Sequence, residues 1–138
     1  MKKIAIVLFA ACCLFACGTM GQNEYHPYSA GLYAPAGGYT ETQLDSNKFS
    51  IDFIGSTAGI SATPETRVKD FALLRAAELT LQYGFKYFAV IDSHNHDEYI
   101  SPYHEITITI VCGNTEINGY VSYNAEFLKN SIVAKYFQ

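Results

Sequence analysis

The chain has no tryptophan, only four prolines and four cysteines, and few charged residues, 16% of 138. Basic residues are the scarcer sign, nine lysines and arginines against 13 acidic residues. That balance argues against a nucleic-acid surface built on phosphate neutralisation. No G-x-S-x-G elbow, Walker loop, H-E-x-x-H or C-x-x-C occurs, so no enzyme chemistry is expected. The apolar run Ile4–Ala16 is 13 residues long. It falls short of the roughly 20 needed to cross a bilayer and matches the roughly 7–15 of a secretory h-region.

What is present begins with that run. Lys2 and Lys3 precede it, and it ends in Leu14-Phe15-Ala16-Cys17. This resembles the lipobox of bacterial lipoproteins, in which cleavage before the cysteine frees its thiol and amino group for acylation. Ala16 is the small residue before the cut and Leu14 the branched aliphatic one; Phe15 is bulkier than usual. Cys12 and Cys13 are competing positions with poorer context, and an ordinary signal cut after Ala16 or Gly18 is the alternative without lipid. Several acyl chains give a stable anchor, because each buried methylene contributes about 0.8 kcal/mol and one chain alone binds marginally. Gly18 after the cysteine resembles the outer-membrane default of such lipoproteins, where Asp would signal inner-membrane retention. The expectation is a signal peptide over 1–16 and a protein held in the outer membrane by lipid on Cys17, its domain facing the periplasm. No other cofactor is expected.

Without Lys2 and Lys3 the remaining chain holds seven basic and 13 acidic residues, a net charge of −6, which also argues against a second, electrostatic membrane contact. With Cys12 and Cys13 in the signal and Cys17 acylated, only Cys112 remains, so no intrachain disulfide can form and packing alone must hold the core. Eleven tyrosines and nine phenylalanines supply bulk for that core.

Residues 17–47 read as a tether. His26-Pro27, Ala34-Pro35-Ala36 and Gly37-Gly38 are breaker signals without helical or strand period. Thirty flexible residues would span roughly 30 Å. Tyr25, Tyr28, Tyr33 and Tyr39 are unexpected in a pure spacer. Tyr39 is expected to hook the later part onto the domain; up to Tyr33 a docked segment and a solvated linker are equally consistent with the sequence.

The domain is expected over 48–138. Phe49, Ile51 and Phe53 alternate with polar neighbours, the period of a strand that Gly55 ends. Thr63 as N-cap, Pro64 in the first turn and Gly84 as stop predict a helix over about 64–83. Its apolar residues go nearly all round, which requires cover on two sides: the sheet on one, the aromatic tether on the other. Arg75 and Glu78 stand three apart beside Phe71 and are expected to form a structural ion pair that latches the helix to neighbouring chain. Further strands are expected over Phe85–Asp92 and Tyr103–Cys112, the second of these antiparallel to the first. A short fourth strand or a plain connection follows at Val121–Tyr123, then a short C-terminal helix from Tyr123 to Lys129 or beyond. The fold class is therefore α+β, a small mixed sheet of 3–4 strands with one long helix packed on it.

Gly37-Gly38-Tyr39, Phe49-x-Ile51-x-Phe53-x-Gly55, Leu74-Arg75-Ala76-Ala77-Glu78-Leu79-Thr80 and Gly84-Phe85-x-Tyr87-Phe88 together resemble a family of short bacterial lipoproteins of uncharacterised function. The resemblance covers residues 37–92, and the R-A-A-E-L-T block is its most specific part. It implies location and fold and carries no activity. The function expected is a non-catalytic structural or protein-interaction role in the envelope, with an envelope protein as partner. The alternative is a metal- or small-ligand-binding lipoprotein. For metal, His94, His96 and Asp97 are the weak candidates, with Glu98 and His104 nearby, since H-x-H in extended chain puts both rings on one face. A loop rich in polar residues explains the same cluster without metal. Cys112 and His104 cannot form a dyad, being eight residues and about 26 Å apart along one strand.

Overall fold

The structure, a computed structural model, describes residues 25–28, 37–56, 63–96 and 103–138. Five strands and two helices follow in the order β1 (Gly38–Asp45), β2 (Lys48–Ile54), α1 (Glu65–Gln82), β3 (Tyr87–Asn95), β4 (Glu105–Gly113), β5 (Ser122–Asn124) and α2 (Ala125–Tyr136). The strands form one sheet in the order β1-β2-β4-β3-β5, and every neighbouring pair is antiparallel. The fold class is α+β, as expected. The sheet has five strands rather than 3–4 and is antiparallel rather than mixed. β2 and β3 do run parallel to one another, but β4 lies between them and bonds to both.

Residues 38–45, assigned to the tether, pair with the whole of β2, from Gly38 opposite Ile54 to Asp45 opposite Lys48. The domain therefore starts about ten residues before Lys48. β1 is an edge strand whose middle, Thr40 to Gln43, is polar and mostly exposed, the composition that discourages further strand pairing. Ser46 and Asn47 close the hairpin, and Asn47 Nδ2 donates to the Cys112 carbonyl at 2.9 Å.

β4 shows why alternation is so informative. Ile106, Ile108, Ile110 and Cys112 are buried, while Thr107, Thr109 and Val111 lie on the opposite face. Phe49, Ile51 and Phe53 of β2 join them on the inner face. Burying each such side chain contributes about 1.5–3 kcal/mol, and the row of them faces α1.

α1 ends as predicted. Gly84 takes φ +82°, the Gly84 N–H donates to the Leu81 carbonyl at 3.0 Å, and the Phe85 N–H reaches the Thr80 carbonyl at 2.9 Å, a Schellman arrangement. Its start differs from expectation. Pro64 occupies the cap position, with no side-chain cap bond. Thr63 Oγ1 instead accepts from the Ser56 N–H at 2.9 Å, and the Thr63 N–H donates to the Ser56 carbonyl at 3.0 Å. The hydroxyl read as a cap thus ties together the two ends of the 57–62 connection.

The second cover of α1 is chiefly α2, not the tether. α2 packs along α1 and beside β5. It starts on the Asn124 side chain, which accepts from the Phe127 N–H at 3.0 Å. It runs back far enough for Tyr136 Oη and Lys135 Nζ both to donate to Asp70 Oδ2, at 2.6 and 2.7 Å, near the start of α1. No helix among the described residues is long and apolar enough to cross a membrane.

Two glycines allow a contrast. A Cβ on Gly84 would meet no atom within 4 Å, whereas one on Gly37, also at positive φ (+77°), would fall 2.7 Å from the Ile54 carbonyl oxygen. Gly84→Ala should cost about 1 kcal/mol, the strain of the left-handed backbone alone. Gly37→Ala should cost more than about 2 kcal/mol, because backbone must also move. Urea unfolding midpoints of the two variants check the ordering.

Candidate functional site

Arg75 projects from the middle of α1 toward the β1 edge. Its side chain is 14% exposed, so its donors need acceptors. Nε and Nη2 grip the two oxygens of Glu41 at 2.5 and 2.8 Å, a side-on fork, and Nη1 donates to Glu78 Oε2 at 3.0 Å. The guanidinium carbon also sits 4.6 Å from the centre of the Tyr39 ring. These acceptors hold the guanidinium pKa above its usual value, the Glu41 bonds most of all and against the opposing effect of burial. The expected Arg75–Glu78 pair is present, with a third member, Glu41, that the tether assignment concealed.

Glu78 Oε2 has a second donor, and it is Tyr25. Tyr25 Oη donates to it at 2.6 Å across 53 residues of chain. The Tyr25 ring lies in an aromatic slot, with centroids 5.2 Å from Tyr39, 5.4 Å from Phe71, 6.1 Å from Phe137 and 6.3 Å from Phe53. The chain behind it joins the sheet edge. The Tyr39 N–H donates to the His26 carbonyl at 2.9 Å and the Tyr28 N–H to the Tyr39 carbonyl at 2.8 Å, a parallel bridge. Gly38 makes this approach possible, since a Cβ there would lie 2.4 Å from the His26 carbonyl oxygen. Burial, followed by the bond to Glu78, raises the Tyr25 phenol pKa well above its ordinary 10.0. Tyr39, the residue expected to hook onto the domain, does lie against it as part of β1, and Tyr25, which was not expected there, is the deeper hook.

The histidines sit elsewhere. Beyond Val90 the β3–β4 register shifts by one residue at Ile91. Without that bulge Asp92 and His94 would continue the inward phase of Phe88 and Val90; with it they face outward, opposite Thr109 and Thr107. The outer face carries a chain of hydrogen bonds. Thr40 Oγ1 donates to Asp52 Oδ2 at 3.2 Å, Thr107 Oγ1 to Asp52 Oδ1 at 2.6 Å, and His96 Nε2 lies 3.0 Å from Thr107 Oγ1. Because Thr107 gives its one proton to Asp52, its contact with His96 has the ring nitrogen as donor. His94 Nε2 is 3.0 Å from Asp92 Oδ2. The two histidines thus share a face but turn to different partners. Asp97 and Glu98 lie outside the described residues, as does Cys17. Among the described residues no three His, Cys, Asp or Glu side chains stand together as a metal site.

Cys112 is 2% exposed, with its sulfur 3.3 Å from Thr80 Oγ1. Burial pushes its thiol pKa up, the opposite of what a nucleophile needs. The remaining surface feature is apolar. Leu44, Tyr83, Tyr120, Val121 and Phe127 are exposed, the last two at 74%. They lie at the β1–β2 turn, the end of α1, the β4–β5 connection and the start of α2. The strand registers place that end of the sheet opposite the one where Tyr25 meets Tyr39, Phe53 and Phe137.

Comparison with protein-family models, curated proteins and solved structures finds no match. The Tyr25–Glu78–Arg75–Glu41 cluster holds the segment 25–28 against the domain, with both carboxylates engaged as acceptors.

Arg75→Ala should destabilise the domain by about 2 kcal/mol, since it strands Glu41 and Glu78 together, and Arg75→Lys by about half of that, because the ammonium cannot make the fork. Thermal or urea unfolding measures both. The raised Tyr25 pKa fixes the sign of a pH effect. The docked state favours the neutral phenol, so its contribution is complete below the ordinary value of 10.0 and is lost as pH rises from there toward the folded-state value. Melting temperature should fall more steeply above that pH in the wild type than in Tyr25→Phe, which has no proton to lose.

Proposed function

We propose that this chain is a lipid-anchored protein of the bacterial envelope, held in the outer membrane by acyl chains on Cys17, with a non-catalytic role exercised through contact with another envelope protein. The observation that carries the proposal is Leu14-Phe15-Ala16-Cys17 at the end of a charge-free apolar run behind Lys2 and Lys3. The resemblance of residues 37–92 to short lipoproteins of the same plan points the same way.

Five of the six large hydrophobic side chains exposed among the described residues lie in the half of the domain away from Tyr25. An anchor entering at Tyr25 turns that half toward the periplasm. Val121 and Phe127 flank β5, an edge strand, and apolar side chains beside an open edge suit a protein partner. The histidine face suits a metal less well, since His94 and His96 have separate partners in Asp92 and Thr107.

The test is fractionation with intact-mass measurement. Wild type should carry the added mass of acyl chains and leave the membrane fraction only with detergent. Cys17→Ala should lose both properties. A soluble wild-type protein cut after Ala16 or Gly18 without added mass would overturn the anchor. In the membrane-bound protein, Val121→Asp with Phe127→Asp should reduce cross-linking to its partner at least about tenfold, the ratio set by about 1.4 kcal/mol of lost contact. Undiminished cross-linking would move the interaction elsewhere.

A further inference from the structure

We infer that residues 25–28 are a releasable clip that sets the length of the membrane tether, giving the anchored domain a short and a long reach. The inference rests on the proposed lipid at Cys17 and concerns how that anchor is regulated.

The first consideration is reach. Eight backbone steps separate Cys17 from Tyr25. Fully extended they cover about 28 Å, and as flexible chain about 15 Å on average. The tether expected from sequence, running to Asn47, would have been almost four times as long in residues. With Tyr25 seated, the domain is held against the bilayer with the Tyr39–Phe53–Phe137 end toward it. With Tyr25 out of its slot, the next described residue along the chain is Gly37, close to Ile54 and Ser56. Twenty steps then separate the lipid from the domain, an average reach of about 25 Å.

The second consideration is that the clip can open without the domain unfolding. β1 holds its place without the clip, through its ladder to β2 and the Glu41–Arg75 fork. Among the described residues, the links between 25–28 and the domain are one phenol hydrogen bond, two backbone hydrogen bonds, the Tyr25 ring in its slot and the close approach of His26 and Pro27 to Gly38. Local openings of this kind cost less than global unfolding. Tyr28 is already 40% exposed.

The third consideration is that the clip is specific. An aromatic ring in the slot with a hydroxyl at its far end meets both demands of the site, apolar walls from Phe53 and Phe71 and an acceptor in Glu78. A slot filled only for bulk would need no donor at that point.

The experiment uses the full acylated chain in phospholipid vesicles. Intact mass first establishes acylation; its absence would defeat the anchor reading itself, whatever the clip does. A dye on Glu126→Cys, in the half remote from Tyr25, reports distance to an acceptor lipid by energy transfer. Tyr25→Ala should increase that distance by about 10 Å relative to wild type, and Tyr25→Phe by less. Ten residues inserted between Gly18 and Tyr25 should lengthen the tether with the clip intact, which calibrates the scale. Hydrogen exchange reads the opening directly. The Tyr28 and Tyr39 amides in the wild type should exchange at least about 100-fold faster than the Ile51 amide, whose strand is paired on both sides. Protection at Tyr28 and Tyr39 equal to that at Ile51 would overturn the inference, because the segment would then leave only when the whole domain unfolds. So would an unchanged energy-transfer distance in an acylated Tyr25→Ala protein that keeps its Ile51 protection.

Discussion

A guanidinium with little access to water must find acceptors for its donors, and Arg75 finds them on three sides. Glu41 brings in the edge strand, Glu78 lies one turn further along the same helix, and the Tyr39 ring closes the remaining face. Each of these groups has a second task. Glu41 fixes β1 over α1, Tyr39 offers its backbone to His26 and Tyr28, and Glu78 accepts the phenol of Tyr25. The helix, the outermost strand and the incoming segment therefore share one electrostatic centre. Coulomb attraction at such a half-buried site exceeds that of an exposed pair, and the several partners spread the entropic cost of fixing one long side chain.

The rest of the molecule divides by face. Rows of Phe and Ile on the inner side of β2 and β4 bury themselves beneath α1, and α2 completes the cover by packing along α1. The outer side carries threonine, aspartate and histidine, joined by hydrogen bonds that run from Thr40 through Asp52 and Thr107 to His96. One extra residue at Ile91 decides which face receives Asp92 and His94.

Sequence and structure agree where a local pattern carries a strong physical signal. The alternation in 49–53 and 106–112 defines two strands, and Gly84 marks the end of α1, because burial and left-handed backbone each demand particular residues. β1 was not legible for the opposite reason. An edge strand is held by backbone bonds and one salt bridge, neither of which leaves an apolar period. Thr63 misled because a hydroxyl beside proline suits both a cap and a loop tie, and only the position of Ser56 decides between them. Arg75–Glu78 was visible from its spacing, while Glu41 and Tyr25 were not, since each joins from more than 30 residues away. The five-stranded antiparallel order also depends on those long-range partners. Nothing local in the sequence indicates that β4 inserts between β2 and β3.

That insertion has a consequence for the order of events in folding. β4 is the middle strand of the sheet, yet it comes fourth in the chain, at residues 105–113. Until it arrives, β2 and β3 have no ladder to share and the apolar side of α1 faces only half a sheet. A chain built in this way gains most of its stability in one late step that closes long loops, and such topologies fold slowly for their size. The growing chain therefore has no stable stopping point short of the whole.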